Sequence, residues 1–129
     1  MADKHVVFPI VIANSKRSTE HPYLVSIPDF DGMTEATSIA DGIEMARDWI
    51  GSYSLVKSLP NSNYHLPSAT SQDVVTLVDV NIDLYKRLND QRSIKKTLTI
   101  PNYLNELGVE AGINFSETLT EALKQKLRV

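Results

Sequence analysis

Lys95, Thr97 and Thr99 stand at alternate positions of the segment SIKKTLTIP (93–101), offering one cation and two hydroxyls in a row. Side chains alternate across an extended backbone, so these three share one face while Ile94, Leu98 and Ile100 fall on the other. Lysine can donate to guanine O6 and N7, and threonine can bond a base edge or touch a thymine methyl. That is the chemistry of recognition rather than of bond making. Lys96 shares the inward phase of Leu98, but it lies near the start of the segment, where its stem could leave a core and reach a phosphate.

Bond-making chemistry has weaker support. Asp29, Asp31, Asp79 and Asp83 could in principle form a magnesium-dependent nuclease site of paired carboxylates. However, IPDFDGM is a turn-rich stretch in which aspartates bond their own backbone, and Asp79 and Asp83 flank a strand end and a helix start. DFDG lacks the later ligands of a calcium loop. His5, His21 and His65 are spread over sixty residues without ligand spacing, and the chain has no cysteine. No GxSxG, Walker A or GxGxxG string occurs. The expectation is a chain without catalytic residues, metal, cofactor or small-molecule substrate.

The elements that must position 93–101 follow from periodicity. HVVFPIVIA (5–13) reads as a strand, with Pro9 suggesting an edge or a bulge, and NSKRSTEHP (14–22) as a turn or hairpin loop. YLVSIPDF (23–30) resumes strand character until Pro28, Asp31-Gly32 turns, and MTEAT (33–37) supplies a third strand. Ile39, Gly42, Ile43, Ala46, Trp49, Ile50 and Tyr53 form one helical stripe after Ser38, which with Asp41 resembles a capping box. A Ser-, Asn- and Pro-rich loop fills 58–73. VVTLVDV (74–80) is a strand and IDLYKRL (82–88) a helical turn or two. The organisation expected is a front domain over 1–88, a polar linker NDQRS over 89–93, and a tail domain over 94–129.

In the tail, Pro101 suits a helix start, Leu104, Leu107, Gly108 and Ala111 share a face, and Gly112 ends that helix. Asn114 and Glu117 make a second capping pattern. Phe115, Leu119, Ala122, Leu123 and Leu127 then recur at helical spacing. Strand, helix, helix in about 36 residues is too little to be stable alone. The strand must either join the front sheet or pair with a second copy, which would close a core of Ile94, Leu98, Ile100, Leu104, Leu119 and Leu123. A two-stranded ribbon fits the major groove of DNA. The N–H groups of Phe115 and Ser116, after Asn114, would then meet a phosphate, with Arg92 and Lys96 as auxiliary cations.

Charge is consistent with that division. Residues 1–91 carry seven Lys and Arg against twelve Asp and Glu, and residues 92–129 carry six against four. An acidic body with a mildly basic end suits a protein whose tail alone meets a polyanion. No apolar run reaches the 18 or so residues of a membrane span and the start lacks a signal-peptide pattern, so the cytoplasm is the expected compartment.

KKTLTIP followed by two helices closely resembles the ribbon-helix-helix repressors of the Arc/MetJ class. In that pattern a Lys-x-Thr before Ile-Pro contacts bases, which the resemblance carries onto Lys95 and Thr97, with Thr99 one step further. The front half resembles the HicB-type antitoxins through Phe8-Pro9, YLVSIPDFDGMTEATSIADGIEMARDWI (23–50), Leu66-Pro67-Ser68 and VVTLVDV. Met33 stands where the family usually has Cys, and Gly42 where it has Ala. The resemblance implies an α+β fold, with a degenerate RNase H-like antiparallel sheet and one main helix in front. Behind it would lie a ribbon-helix-helix that dimerises through its strand. It also implies a HicA-type, mRNA-cleaving toxin as partner, neutralised by the front domain, and operator DNA bound by the tail of a homodimer or higher homo-oligomer. A rival from another class is an adaptor whose tail only dimerises, without binding DNA.

Overall fold

The structure is a computed structural model that describes residues 3–15 and 19–129. The chain is built from two compact units, residues 1–91 and 92–129. Part of the loop expected at 14–22 lies outside the described residues; at its ends Ser15 N–H donates to the Pro22 carbonyl at 2.9 Å.

The front unit is α+β, with β1 (His5–Asn14), β2 (Tyr23–Ile27), β3 (Gly32–Ala36), α1 (Ile39–Ser54), β4 (Val74–Asn81) and α2 (Ile82–Asn89). Its four strands form one antiparallel sheet in the order β3-β2-β1-β4. Alternation along the strands divides them as period two requires. Val6, Phe8, Ile10 and Ile12 of β1 are buried, and Val25, Ile27, Ala36, Val78 and Val80 join them. Ala46 and Ile50 of α1 complete this core. Removing such side chains from water, at about 25 cal/mol per Å² of apolar surface, is the main force holding the sheet to the helix.

The edge expected at Pro9 is local rather than a property of the whole strand. Pro9 sits in a central strand, paired with β4 over His5–Ile12 and with β2 over Val11–Asn14. Val7 N–H donates to Ser62 Oγ at 3.0 Å, and the Val7 carbonyl accepts from Asn63 N–H at 2.9 Å, so Val7 directs its backbone away from β4. Pro9 shares that parity and lies just outside the β1–β2 register. No β2 ladder bond is due at its nitrogen, and a proline there removes nothing.

Between β2 and β3 the chain makes a single 3-10 turn (Pro28–Phe30), ended by Asp31 at φ 50°, a left-handed conformation that Asp tolerates better than most residues. The turn sends Phe30 back onto the core. Its ring meets Phe8 edge-on at 4.8 Å and Tyr53 at 4.9 Å, with Trp49 at 5.6 Å. Asp29 of the same turn accepts from the Asn63 amide.

Helix α1 starts as read: Ser38 Oγ accepts from Asp41 N–H at 3.0 Å. The reciprocal bond is shifted by one residue, because the Asp41 carboxylate accepts from Thr37 N–H and Oγ1. Its stripe is buried at Gly42, Ala46 and Ile50, and Gly51 is buried with them, whereas Ile39 is exposed. Asn81 Oδ1 caps α2 by accepting from Leu84 N–H.

The start of β1 is tied down by charge. Arg87 donates both guanidinium nitrogens to Asp3, at 3.0 and 2.8 Å, and the Asn81 amide donates to the same carboxylate. The Arg87 bonds, then the Asn81 bond, hold the Asp3 carboxyl at about 2 instead of 3.8. A depressed folded value means the stabilisation is complete above the unfolded value and is lost as pH falls from about 4 through about 2. The melting temperature of the parent protein should therefore fall more steeply over that window than that of Asp3→Asn. Parallel curves would remove the role assigned to this pair.

Candidate nucleic-acid interface

The second unit comprises α3 (Asn102–Glu110), α4 (Phe115–Leu127) and the segment that precedes them. Residues 93–100 are neither helical nor in a ladder. The alternation of polar and apolar residues there is a strand pattern, but a strand is stabilised by its neighbours and none of the described residues pairs with it. Lys95, Thr97 and Thr99 are exposed, as is Lys96. The apolar set is exposed as well: Ile94 at 85%, Leu98 at 54% and Ile100 at 45%.

Helix α3 begins one residue later than read, with Pro101 at its N-cap and the Pro101 carbonyl accepting from Leu104 and Asn105 N–H. Its other end depends on Gly112, whose φ of 71° would strain any residue carrying a Cβ. The Gly108 carbonyl accepts from Ile113 N–H at 3.0 Å, reversing the chain into α4.

Asn114 caps α4, its Oδ1 accepting from Glu117 N–H at 3.1 Å. The N–H groups of Phe115 and Ser116, in the first turn, donate to no acceptor in the described protein, as the first positions of a helix require. Together with the dipole of a 13-residue helix they make this end attractive to an anion. Phe115 does more than its position suggested. Its ring lies where a Cβ on Gly108 would be only 2.6 Å away, so the ring locks α4 onto α3 and a side chain at 108 would push it out. The small residue in the helical stripe was the available signal, and it reads equally well as helix-to-helix packing.

Leu104 and Leu123 are about half exposed, Leu107 and Leu127 more so, and Leu119 is half-buried. Gly108 is the one residue of the described tail that is buried. Ile94, Leu98, Ile100, Leu104 and Leu123 thus leave large apolar side chains in water, and Lys95, Thr97 and Thr99 alternate with part of that set along the chain. Arg92 opens the unit, which carries six cationic and four anionic side chains.

Three of the four aspartates weighed for nuclease chemistry, Asp29, Asp79 and Asp83, are locally engaged. Asp79 faces His5 and Arg47 at 3.5 Å each, and its carbonyl accepts from Arg47 Nε at 2.9 Å. Asp83 accepts from the backbone N–H of Lys4. Among the described residues no group of three or more His, Asp or Glu is placed to hold a metal ion. No helix among them is long and apolar enough to cross a membrane.

No protein-family model and no curated protein matches the chain. Among solved structures, a chain of a toxin–antitoxin complex from Streptococcus pneumoniae is 28% identical, with a TM-score of 0.52, over 95% of this chain and 99% of that one. The antitoxin HicB of Burkholderia pseudomallei matches at 19% identity and a TM-score of 0.44, over 95% of this chain and 97% of that one. The chain resembles the HicB-type antitoxins, through Phe8-Pro9, the IPDFDGM turn and the capped α1, and a solved toxin–antitoxin chain is similar to it over nearly its full length.

Proposed function

We propose that this protein is an antitoxin of the HicB type, without enzymatic activity of its own. Its front unit binds and covers the active site of a HicA-type, mRNA-cleaving toxin. Two tails pair their 94–100 segments antiparallel and set the resulting ribbon in the major groove of operator DNA, repressing the operon of the pair. The observation that carries the DNA-binding half is the division of 94–100 in the second unit: exposed apolar residues on one phase, Lys95, Thr97 and Thr99 on the other. A second copy satisfies both phases at once. It gives the backbone its ladder, covers Ile94, Leu98 and Ile100, and leaves the polar face outward as a ribbon.

Within this reading, Lys95 and Thr97 read bases, Thr99 contributes at the ribbon's end, and Asn114, Phe115 and Ser116 clamp a phosphate. Arg92 and Lys96 add phosphate contacts. Ile94, Leu98, Ile100, Leu104, Leu119 and Leu123 form the dimer core. The similarity to a chain of a toxin–antitoxin complex supports the toxin half.

Operator titration separates the roles. Thr97→Ala should cost about 1–3 kcal/mol at the base pair it reads and flatten sequence preference there. Lys96→Ala should weaken binding similarly on all sequences and reduce the salt slope by about one. Identical titrations for both variants would remove the base and phosphate assignments. A dimeric chain that holds its own upstream DNA no better than random DNA would favour the adaptor reading.

A further inference from the structure

We propose that the front unit carries a separate anion-binding site, a cleft that takes a phosphate-bearing small molecule of about nucleotide size. The cleft lies where the start of β1, the turn after α1 and the first turns of α2 meet, and its volume is about 700 Å³. That is within the range of roughly 300–1,000 Å³ typical of small-ligand sites. Lys4, Lys57 and Lys86 line it with His5, and no carboxylate lines it. In a unit of twelve acidic side chains and seven basic ones, a wall of this sign is a local inversion of the surrounding charge.

The state of the cations supports the same conclusion. Arg47 is paired with Glu44 and Asp79, and Arg87 with Asp3, so both guanidinium groups described in this unit hold the fold together. Lys4, Lys57 and Lys86 form no ion pair in the described protein. Lys57 instead rests its ammonium 5.9 Å from the centre of the Tyr53 ring. The Lys4 backbone is fixed, its N–H on Asp83 and its carbonyl accepting from Ile82 N–H, so that residue is anchored at the cleft's edge.

Neutral donors join the lysines. The backbone N–H groups of Ser58, Leu59 and Asn61 donate to no acceptor in the described protein. Ser62 Oγ already accepts from Val7 N–H, which leaves its proton free to donate outward. The carbonyls at the end of α1 that would repel an anion are partly spent on Leu55, Val56 and Lys57 N–H. Val6, Leu59 and Ile82 provide apolar wall for the body of a ligand. Phosphate is the anion that best uses several ammonium groups and backbone donors together.

The test is a titration of the full chain followed by amide resonances, using a nucleoside monophosphate, its parent nucleoside, inorganic phosphate and a short oligoribonucleotide. The monophosphate should move residues 55–62 and 82–86 and saturate, inorganic phosphate should move the same residues more weakly, and the uncharged nucleoside should move none. Lys4→Gln and Lys86→Gln should each weaken monophosphate binding about tenfold, since each removes one charge-assisted contact from an exposed side chain. Absence of saturation, or equal affinity in the variants, would overturn the proposal. Saturation by the oligoribonucleotide alone would overturn it too, in favour of a nucleic-acid track. The front unit's toxin binding and the tail's DNA binding are separate readouts, so this site stands or falls independently of both.

Discussion

On the proposed pairing of two tails, Leu98→Lys is expected to yield a monomer by sedimentation and to lose the proposed operator binding, while the toxin binding proposed for the front unit persists. Leu98 lies in the middle of the inward phase of 94–100 and is 54% exposed in the single chain. Burying a fully exposed leucine stabilises by about 1.5–3 kcal/mol, and Leu98 has about half of that still to gain. A two-fold interface uses each residue twice, so losing it from both chains costs about 1.5–3 kcal/mol per dimer. That corresponds to a dissociation constant raised by about tenfold to a hundredfold, before the larger cost of facing two lysines across one ribbon is added. Thr97→Ala, one position away on the opposite phase, should leave the dimer intact and affect only DNA. A Leu98→Lys chain that still sediments as a dimer would remove the ribbon, and with it the base-reading role of Lys95 and Thr97.

The features that could be read from sequence were local ones. Ser38 and Asn114 are legible as caps because a side-chain oxygen three residues before an N–H needs nothing but its own turn; Asn81 caps α2 in the same way, a cap not among those expected from the sequence. The apolar stripe of α1 and the alternation of β1 are equally local and produced the right elements. The edge at Pro9 lies inside a central strand, which the sequence does not reveal, because it depends on how far β2 extends along β1, a register set by residues far away in the chain. The loop at 58–73 reads correctly as irregular, yet nothing in its composition reveals that Ser62 and Asn63 occupy the backbone of Val7 where β2 has ended. Lys4, Lys57 and Lys86 share one cleft only because β1, α1 and α2 converge there. The segment 94–100 is the converse case: its pattern is legible, and no ladder for it is found among the described residues.

Phe8→Ala is expected to destabilise the front unit by about 3–5 kcal/mol, the range for truncating a large buried aromatic side chain. Phe8 is 0% exposed and sits between the sheet and the returning turn, with the Phe30 ring edge-on at 4.8 Å. Removing it loses the transfer energy of the ring and leaves a cavity. It also withdraws the support under Phe30, which in turn contacts Tyr53 and Trp49 of α1. A domain of this size has only about 5–15 kcal/mol in hand, so the loss should bring unfolding close to ambient conditions. Phe8→Leu, which refills most of the space but forfeits the edge-on ring contact, should cost appreciably less. The informative comparison is between the two proposed binding activities: toxin affinity should collapse in Phe8→Ala and largely recover in Phe8→Leu, whereas operator binding, proposed for residues 92–129, should change little in either. Operator binding lost in step with the front unit's fold would mean that the two units do not act separately.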